Sequence, residues 1–154
     1  MTTSARVNIN VVIPRFLALR VGTGAILTTN TTVDTVSFNV PVADVGNSTP
    51  VAGTGGDLTG GQVTVALLGN VGNVNLSATA PVLSNGTETI PWNQISVATT
   101  GGATHPAIGG GPASFVATAR VVNVSGTWTY SYLNASMPAE GTYSSTITYT
   151  ALSL

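Results

Sequence analysis

The sequence of 154 residues contains no cysteine and no lysine, and only 6% of its residues are charged. An average soluble domain has roughly 25% charged residues. Without cysteine, the chain has no disulfide, no thiolate nucleophile and no cysteine-ligated metal. Its four basic residues are arginines scattered between Arg6 and Arg120, so they cannot form the clustered basic surface that phosphates require. These absences argue against a nucleic-acid partner and against binding to a membrane surface through clustered basic residues.

Long apolar runs and strong helix formers are also missing. The most apolar stretch, residues 7–21, is interrupted by Asn8, Pro14 and Arg15, so we expect no membrane span. The N-terminus lacks the uninterrupted apolar segment of a signal peptide, and we expect Met1 to begin a mature secreted chain. Only two glutamates and two glutamines are present, and no apolar pattern of helical period is free of glycine, proline or β-branched runs.

The residues that dominate instead are valine, threonine, asparagine and glycine. The β-branched side chains favour strands, and apolar residues alternate with polar ones in many short segments. These segments are residues 7–13, 17–21, 32–40, 63–67, 74–78, 90–97, 115–121, 128–132 and 143–151, with a turn expected at Gly126. The pattern predicts a single all-β domain over residues 1–154, an immunoglobulin-like two-sheet antiparallel β-sandwich of about eight strands. A small barrel or jelly roll is the alternative.

Candidate catalytic residues are few. His105 is the only histidine, and no Gly-x-Ser-x-Gly segment accompanies it, so we interpret it as a solvated loop residue. Glu88 and Glu140 could form a glycosidase pair, but both lie in predicted turns, where solvated acids are usual. Asp44 and Asp57 flank a glycine-rich loop that could bind calcium through side-chain and backbone oxygens, but their spacing does not match the calcium-binding loop of an EF-hand. We therefore expect no enzyme and no catalytic, cofactor-binding or metal-binding residues.

Aromatic residues alternate along one predicted strand, at Trp128, Tyr130 and Tyr132. On an exposed face, they could stack sugar rings, with Trp92 as a further candidate for glycan binding. On the inner face, they would pack against the last predicted strand, residues 143–151. We favour the core interpretation, because a chain with so little charge needs its large side chains inside.

The two ends of the chain form strands that lack the usual protection against edge-to-edge pairing. The last predicted strand carries no charge, and soluble sandwiches normally guard their edges with lysine, proline or inward charges. Residues 5–13 form a separate alternating segment with Val7, Ile9, Val11 and Ile13 on one face. This segment either pairs within its own sandwich or adds to the edge of a neighbouring copy.

Six asparagines begin Asn-x-Ser/Thr sequences, which accept glycans in hosts that glycosylate them. They are Asn30, Asn47, Asn75, Asn85, Asn123 and Asn134. Such matches arise by chance in a chain rich in asparagine and threonine.

Residues 138–149 read Pro-Ala-Glu-Gly-Thr-Tyr followed by an alternating strand. This run resembles the ending of bacterial secreted β-sandwiches that include spore-coat-U-like and archaic chaperone–usher pilin subunits, with Glu140 inserted before the glycine. The alternation in residues 7–13 is similar to a pilin donor strand. The resemblance implies an immunoglobulin-like fold, export to the periplasm or cell surface, and assembly by donor-strand exchange.

The sequence as a whole predicts a non-catalytic structural or fibre-forming protein of a bacterial cell surface, periplasm or extracellular space. Its expected partners are further copies of itself or homologous subunits, joined through Val7, Ile9, Val11 and Ile13. The alternative is a carbohydrate-binding or adhesin module that uses exposed aromatic side chains.

Overall fold

The computed structural model describes residues 1–28 and 31–154, and this part of the chain is all-β. The strands are β1 Leu17–Val21, β2 Val36–Ser37, β3 Val51–Ala52, β4 Thr54–Gly55, β5 Gln62–Gly69, β6 Val74–Thr79, β7 Leu83–Ser84, β8 Thr89–Ile90, β9 Ile95–Gly101, β10 Ala113–Phe115, β11 Val122–Tyr132 and β12 Thr148–Ser153. Two short 3-10 helices lie at Val42–Asp44 and Trp92–Gln94. The predicted all-β class is confirmed.

The larger sheet is antiparallel and is built around β11. Strand β5 pairs with one edge of β11 and also with β1, while β9 pairs with the opposite edge of β11. Strand β11 runs through Gly126 without interruption, so the turn predicted there is wrong. A side chain at Gly126 would overlap the carbonyl oxygen of Thr100 on β9. The glycine therefore allows β9 and β11 to lie close together.

The second sheet has the strand order β10-β6-β12. Leu76 of β6 lies opposite Ala113 on one side and Ala151 on the other. Two further pairs, β2 with β4 and β7 with β8, form small separate sheets. All of these pairings are antiparallel.

Both large sheets contribute to one hydrophobic core, as in a β-sandwich. The period of two along each strand places alternate side chains inside; in β5 every second residue, beginning with Val63, is buried. Trp128 and Leu67 of the larger sheet and Leu76 of the smaller one are almost completely buried. The two sheets therefore share the apolar interior that the alternation predicts.

Several predicted strands are shorter than expected, and residues 7–13 form no strand. Of residues 115–121 only Phe115 lies in a strand; Thr118 and Val121 close a tight turn with two mutual backbone hydrogen bonds, and within it Ala119 and Arg120 have left-handed φ angles of 49° and 67°. Pro91 and the 3-10 helix after it divide the predicted strand 90–97. The loop predicted at 41–61 contains the two-residue strands β3 and β4.

Asn134 fixes part of this loop from inside the molecule. Its side chain is completely buried, and its φ of 54° lies in the left-handed region, which asparagine tolerates better than most residues. The side-chain oxygen accepts a hydrogen bond from Gly46 N at 2.9 Å, and the side-chain nitrogen donates to Asp44 O at 2.7 Å. A glycan on Asn134 is therefore incompatible with the folded chain, and the sequence at Asn30 lies outside the described residues.

Candidate functional site

The N-terminal segment lies outside the packed fold. Val7, Ile9, Val11 and Ile13 are exposed by 87%, 81%, 79% and 75%, respectively, and none belongs to a strand. The structure therefore does not place this segment in its own sandwich, which was one of the two alternatives for residues 5–13. An apolar alternating segment without a partner is a candidate interaction element.

Asn70 holds the chain at the point where this segment ends. Its side-chain nitrogen donates to Pro14 O and its side-chain oxygen accepts from Phe16 N, both at 2.8 Å. Arg15 donates to the hydroxyl of Ser153 on β12, also at 2.8 Å. The part of the chain that is hydrogen-bonded to the fold therefore begins at Pro14, near the start of β1 and the end of β12.

A cleft of about 1160 Å³ opens between β1 and the segment that leads into β12. Leu19 and Val21 line one side, Ile147 and Tyr149 line the other, and Tyr130 lies among the residues beneath. The cleft exceeds the roughly 300–1,000 Å³ typical of small-molecule pockets. These apolar side chains share the lining with polar ones such as Thr146 and Thr148, and residues 32–40 also line the cleft.

The β1 side of the cleft presents backbone groups that no neighbouring strand uses. Asn70 N donates to Phe16 O, and Gly22 N donates to Thr64 O, so even-numbered residues along β1 face β5. The alternation of an antiparallel pair then turns the N–H and C=O groups of Leu17, Leu19 and Val21 outward.

The β12 side has the same property. Leu154 N donates to Asn73 O in register with β6, so the even-numbered residues face β6. Tyr149 and Ala151 therefore direct their backbone groups away from the sheet. The cleft thus combines apolar side chains with unused hydrogen-bonding groups along both of its borders, which is the chemistry needed to bind an extended peptide.

An aromatic cluster lies between the two sheets at this cleft. The hydroxyl of Tyr149 lies 2.7 Å from the hydroxyl of Tyr130 and 2.8 Å from Nε2 of His105. The His105 ring meets Trp128 edge-on at a centroid distance of 4.6 Å. Trp128 Nε1 donates to Ala103 O at 2.7 Å, so the buried indole is satisfied.

Burial controls the protonation of this cluster. It lowers the pKa of His105 from 6.5 to about 4, because the charged ring would lose solvation. Burial also raises the pKa of Tyr130 to about 12 and raises that of Tyr149 further, since Tyr130 disfavours a second negative charge nearby. The interpretation of His105 as a solvated loop residue is therefore wrong: its ring is half-buried and hydrogen-bonded.

The aromatic residues considered for glycan binding do not form an exposed platform. Trp128 is 0% exposed, and Tyr130 and Tyr132 are also buried, as the core interpretation expects. They face the second sheet, where Tyr149 lies 4.9 Å from Trp128 between ring centroids. Trp92 is half-buried, lines the cleft and donates its Nε1 hydrogen to Pro81 O at 3.0 Å.

The acidic residues mostly bind protein donors. Asp57 accepts hydrogen bonds from both the backbone N and the hydroxyl of Thr64, and Asp44 accepts from the Asn47 side chain at 3.1 Å. The turns that carry Glu88 and Glu140 meet through Asn85, which accepts from Glu88 N and donates to Glu140 O. Within residues 1–28 and 31–154, no three potential ligands come together as a metal site.

Sequence patterns revealed the apolar segment and the buried aromatics, but not the residues that organise the cleft. In the sequence, Gly69-Asn70 is only a turn signal, and Asn134 is only a possible glycan acceptor. The preference of asparagine for turns at Asn70 and its tolerance of left-handed φ at Asn134 were the available signals. Neither signal specifies which distant backbone group the side chain binds.

Comparisons with protein-family models, with curated proteins and with solved structures found no match. No helix in the described part of the chain has the length and apolar character to span a membrane.

Proposed function

We propose that this chain is a non-catalytic structural subunit that assembles by adding residues 5–13 of one copy to the cleft of another. The observation that carries the proposal is that one molecule has both an exposed apolar segment without a partner and a cleft bordered by unpaired strand edges. The segment has four exposed apolar side chains in alternation, and the cleft has an apolar lining between two unused strand edges.

The segment has the length of an ordinary strand, and its chemistry complements that of the cleft. At about 3.3 Å per residue, the seven residues from Val7 to Ile13 span about 20 Å as a strand. Each valine or isoleucine contributes roughly 1.5–3 kcal/mol when fully buried, offset in part by the entropy lost on ordering the segment. Charge also favours the match, because Arg6 and Arg15 flank the segment, whereas the charged residues lining the cleft are Asp34 and Glu140.

The strand order supports an immunoglobulin-like topology with one position vacant. In that fold, one sheet has the order A-B-E-D and the other contains C, F and G. Strands β1, β5, β11 and β9, each paired with the next, correspond to the first sheet, in which the two-residue β3 also pairs with β11; adjacent β6 and β12 correspond to C and F. Strand G would then lie at the open edge of β12, beside the cleft, and we propose that the N-terminal segment of a second copy occupies that position.

The anchoring at Pro14 favours insertion between copies. To enter its own cleft, the segment would have to reverse direction at Pro14, beside the start of β1. Asn70 holds Pro14 O and Phe16 N there, so the backbone is not available for such a turn. Addition to a second copy needs no such reversal of the chain. Repeated head-to-tail addition that does not close into a ring produces a fibre.

The proposed setting is the surface, periplasm or extracellular space of a bacterium. The charge-poor chain rich in threonine, asparagine and glycine supports it, together with the resemblance of residues 138–149 to secreted pilin-like subunits.

The experiment compares Val11→Asp with Asn10→Asp, which adds a carboxylate to the neighbouring polar position. Both side chains are exposed in the subunit, so neither change should alter its stability by more than about 0.5 kcal/mol. Light scattering should find large assemblies for the unmodified chain and for Asn10→Asp, and a 15.4 kDa monomer for Val11→Asp. An unmodified chain that remains monomeric at high concentration would contradict the proposal.

A peptide with the sequence of residues 5–13 tests the acceptor side. The Val11→Asp subunit retains an intact cleft, so it should bind this peptide, with a change in fluorescence from the tryptophans near the cleft. The same peptide with Val11→Asp should not bind. Equal binding of both peptides would rule out recognition through the apolar face.

Glycan binding is the second candidate, and the position of Trp92 in the cleft lining is the observation that favours it. A glycan panel titrated against the Val11→Asp subunit should leave tryptophan fluorescence unchanged if the cleft is reserved for a strand. A saturable change that Trp92→Ala abolishes would support the carbohydrate-binding alternative.

A further inference from the structure

Strand β9 forms an outer edge of the larger sheet, away from the cleft borders formed by β1 and β12. It pairs with β11 on one side only. Its seven residues include no charged residue and no proline. On the outer face, the side chains of Ser96, Ala98 and Thr100 are all exposed and small. Charge and proline, two of the means by which soluble proteins protect a strand edge, are therefore missing from β9.

The backbone of β9 shows which groups this edge presents. Tyr130 N donates to Gly61 O, and Tyr130 O accepts from Gly53 N, so the backbone of Tyr130 faces away from β9. Val97 lies opposite Tyr130 and belongs to a pair without mutual hydrogen bonds. The N–H and C=O groups of Val97, and of Thr99 two residues later, consequently point outward. No hydrogen bond from the described part of the chain reaches them.

We propose that this edge pairs with β9 of a second copy of the chain, antiparallel and about a two-fold axis. Ala98 is the midpoint of Ile95–Gly101, so complete overlap of the two strands places Ala98 opposite Ala98 of the second copy. Val97 of each copy then lies opposite Thr99 of the other, which forms roughly four backbone hydrogen bonds. The register therefore satisfies the outward groups of both copies.

A second copy fits this edge better than a charged partner. The edge offers no charge with which to recognise an acidic or basic peptide. Its small outer side chains allow two copies to approach without collision, and a two-fold arrangement uses the same surface twice. Pairing a single strand buries less surface than the roughly 1,200–2,000 Å² of standard interfaces, so the isolated pair is weak. Along a fibre, repeated pairs add together and join neighbouring fibres side by side.

This interface does not use the N-terminal segment, and although Ile95 at the start of β9 lines the cleft, the hydrogen-bonding residues Val97 and Thr99 do not, so the pairing does not depend on the proposed strand addition. The absence of cysteine from the chain makes it directly testable, because any introduced thiol is unique. The experiment places Ala98→Cys in the full-length chain that also carries Val11→Asp, oxidises it mildly and measures disulfide-linked dimers on non-reducing gels. Opposed residues in a pair without mutual hydrogen bonds have Cα atoms about 4.5 Å apart, within the range that a disulfide spans.

Two single-cysteine variants serve as controls. Ala66→Cys lies on the outer face of β5, in the interior of the same sheet, and Ser96→Cys lies on β9 but away from the two-fold axis. Ala98→Cys should form dimers at least about tenfold faster than either, because strand pairing raises the effective concentration of its thiol. A mixture of Ser96→Cys and Thr100→Cys should also cross-link, since the register places those two positions opposite each other.

Equal rates for Ala98→Cys, Ser96→Cys and Ala66→Cys would mean that dimers form by random collision, which would overturn the proposal. Absence of cross-linking at Ala98→Cys would overturn it as well. Unchanged tryptophan fluorescence in each variant establishes that the fold is intact. Failure of strand addition is recognised separately, from light scattering that finds the unmodified chain monomeric, and does not alter the cross-linking result.

Discussion

At the scale of single residues, the hydroxyl of Tyr149 links the two sheets. It lies within hydrogen-bonding distance of Tyr130 on β11 and of His105 in the loop between β9 and β10. The ring of His105 packs against Trp128, also on β11. A neutral histidine fits this environment, whereas a charged one would lose much of its hydration.

The first prediction concerns the pH dependence of stability. The pKa of His105 is 6.5 in the unfolded chain and about 4 in the folded one. Between these values the unfolded chain binds a proton that the folded chain does not, so the free energy of unfolding should decrease as the pH falls from about 6.5 to about 4. Urea unfolding at several pH values within this range measures the effect.

The control for this prediction is His105→Gln, because His105 is the only histidine in the chain. Glutamine keeps a hydrogen-bonding group near Tyr149 but does not titrate. The variant should show a smaller loss of stability between pH 6.5 and pH 5 than the unmodified chain. The same slope in both chains would contradict the half-buried position of the ring.

The buried aromatics illustrate what residue patterns reveal. Alternation along β11, together with scarce charge, was sufficient to predict that Trp128, Tyr130 and Tyr132 face the core. The partners of His105 were not predictable in this way. Its neighbours come from two strands distant in the chain, and one histidine in a proline-containing loop has the same local sequence whether it is solvated or packed.

At the scale of elements, the close approach of β9 and β11 depends on Gly126. The sequence suggested a turn at this glycine, because glycine punctuates loops more often than it interrupts strands. In the structure the residue allows β11 to continue for 11 residues while its backbone meets Thr100 and Ala103. Whether glycine permits a turn or close packing depends on what lies beside it.

The second prediction compares Gly126→Ala with Gly111→Ala. A Cβ at Gly126 would overlap the carbonyl oxygen of Thr100, so Gly126→Ala should destabilise the fold by about 1–3 kcal/mol. A Cβ at Gly111 would meet no neighbouring atom, and Gly111→Ala should be neutral or stabilising by up to about 1 kcal/mol. Urea unfolding monitored by tryptophan fluorescence measures both. Equal stability of the two variants would show that β9 can shift to accommodate the methyl group.

At the scale of the whole molecule, the chain divides into a packed body and an unpacked N-terminal segment. The division falls at Pro14, where the hydrogen bonds from Asn70 begin. The body presents the cleft beside β12 and the edge of β9, whose first residue, Ile95, also lines the cleft. In the assembly that we propose, each copy would have one donor segment, one acceptor cleft and one edge for pairing with a second copy.

The third prediction is that a chain beginning at Pro14 folds as a stable monomer. The large apolar side chains of the removed residues are all at least 75% exposed, so their loss should change the free energy of unfolding by no more than about 0.5 kcal/mol. Circular dichroism and urea unfolding measure the fold, and light scattering measures the mass. An unfolded or aggregated product would show that residues 5–13 belong to the core of their own subunit.

The sequence by itself determined the all-β class, the inward face of most strands and the apolar character of residues 7–13. These properties follow from local chemistry: β-branched residues favour strands, and a period of two places alternate side chains on one face. The inward position of residues such as Val63 and Leu76 follows from this local pattern alone and needs no knowledge of distant parts of the chain.

Only the tertiary structure decided which strands are neighbours, and therefore which edges remain open. The position of β12 beside β6, the exposure of β9 and the cleft above Tyr130 all depend on pairing between segments far apart in the sequence. An alternating segment looks the same in sequence whether its backbone groups are paired or unpaired. The pairing is fixed by the combined packing of both sheets, so only the tertiary structure shows which strand edges are open.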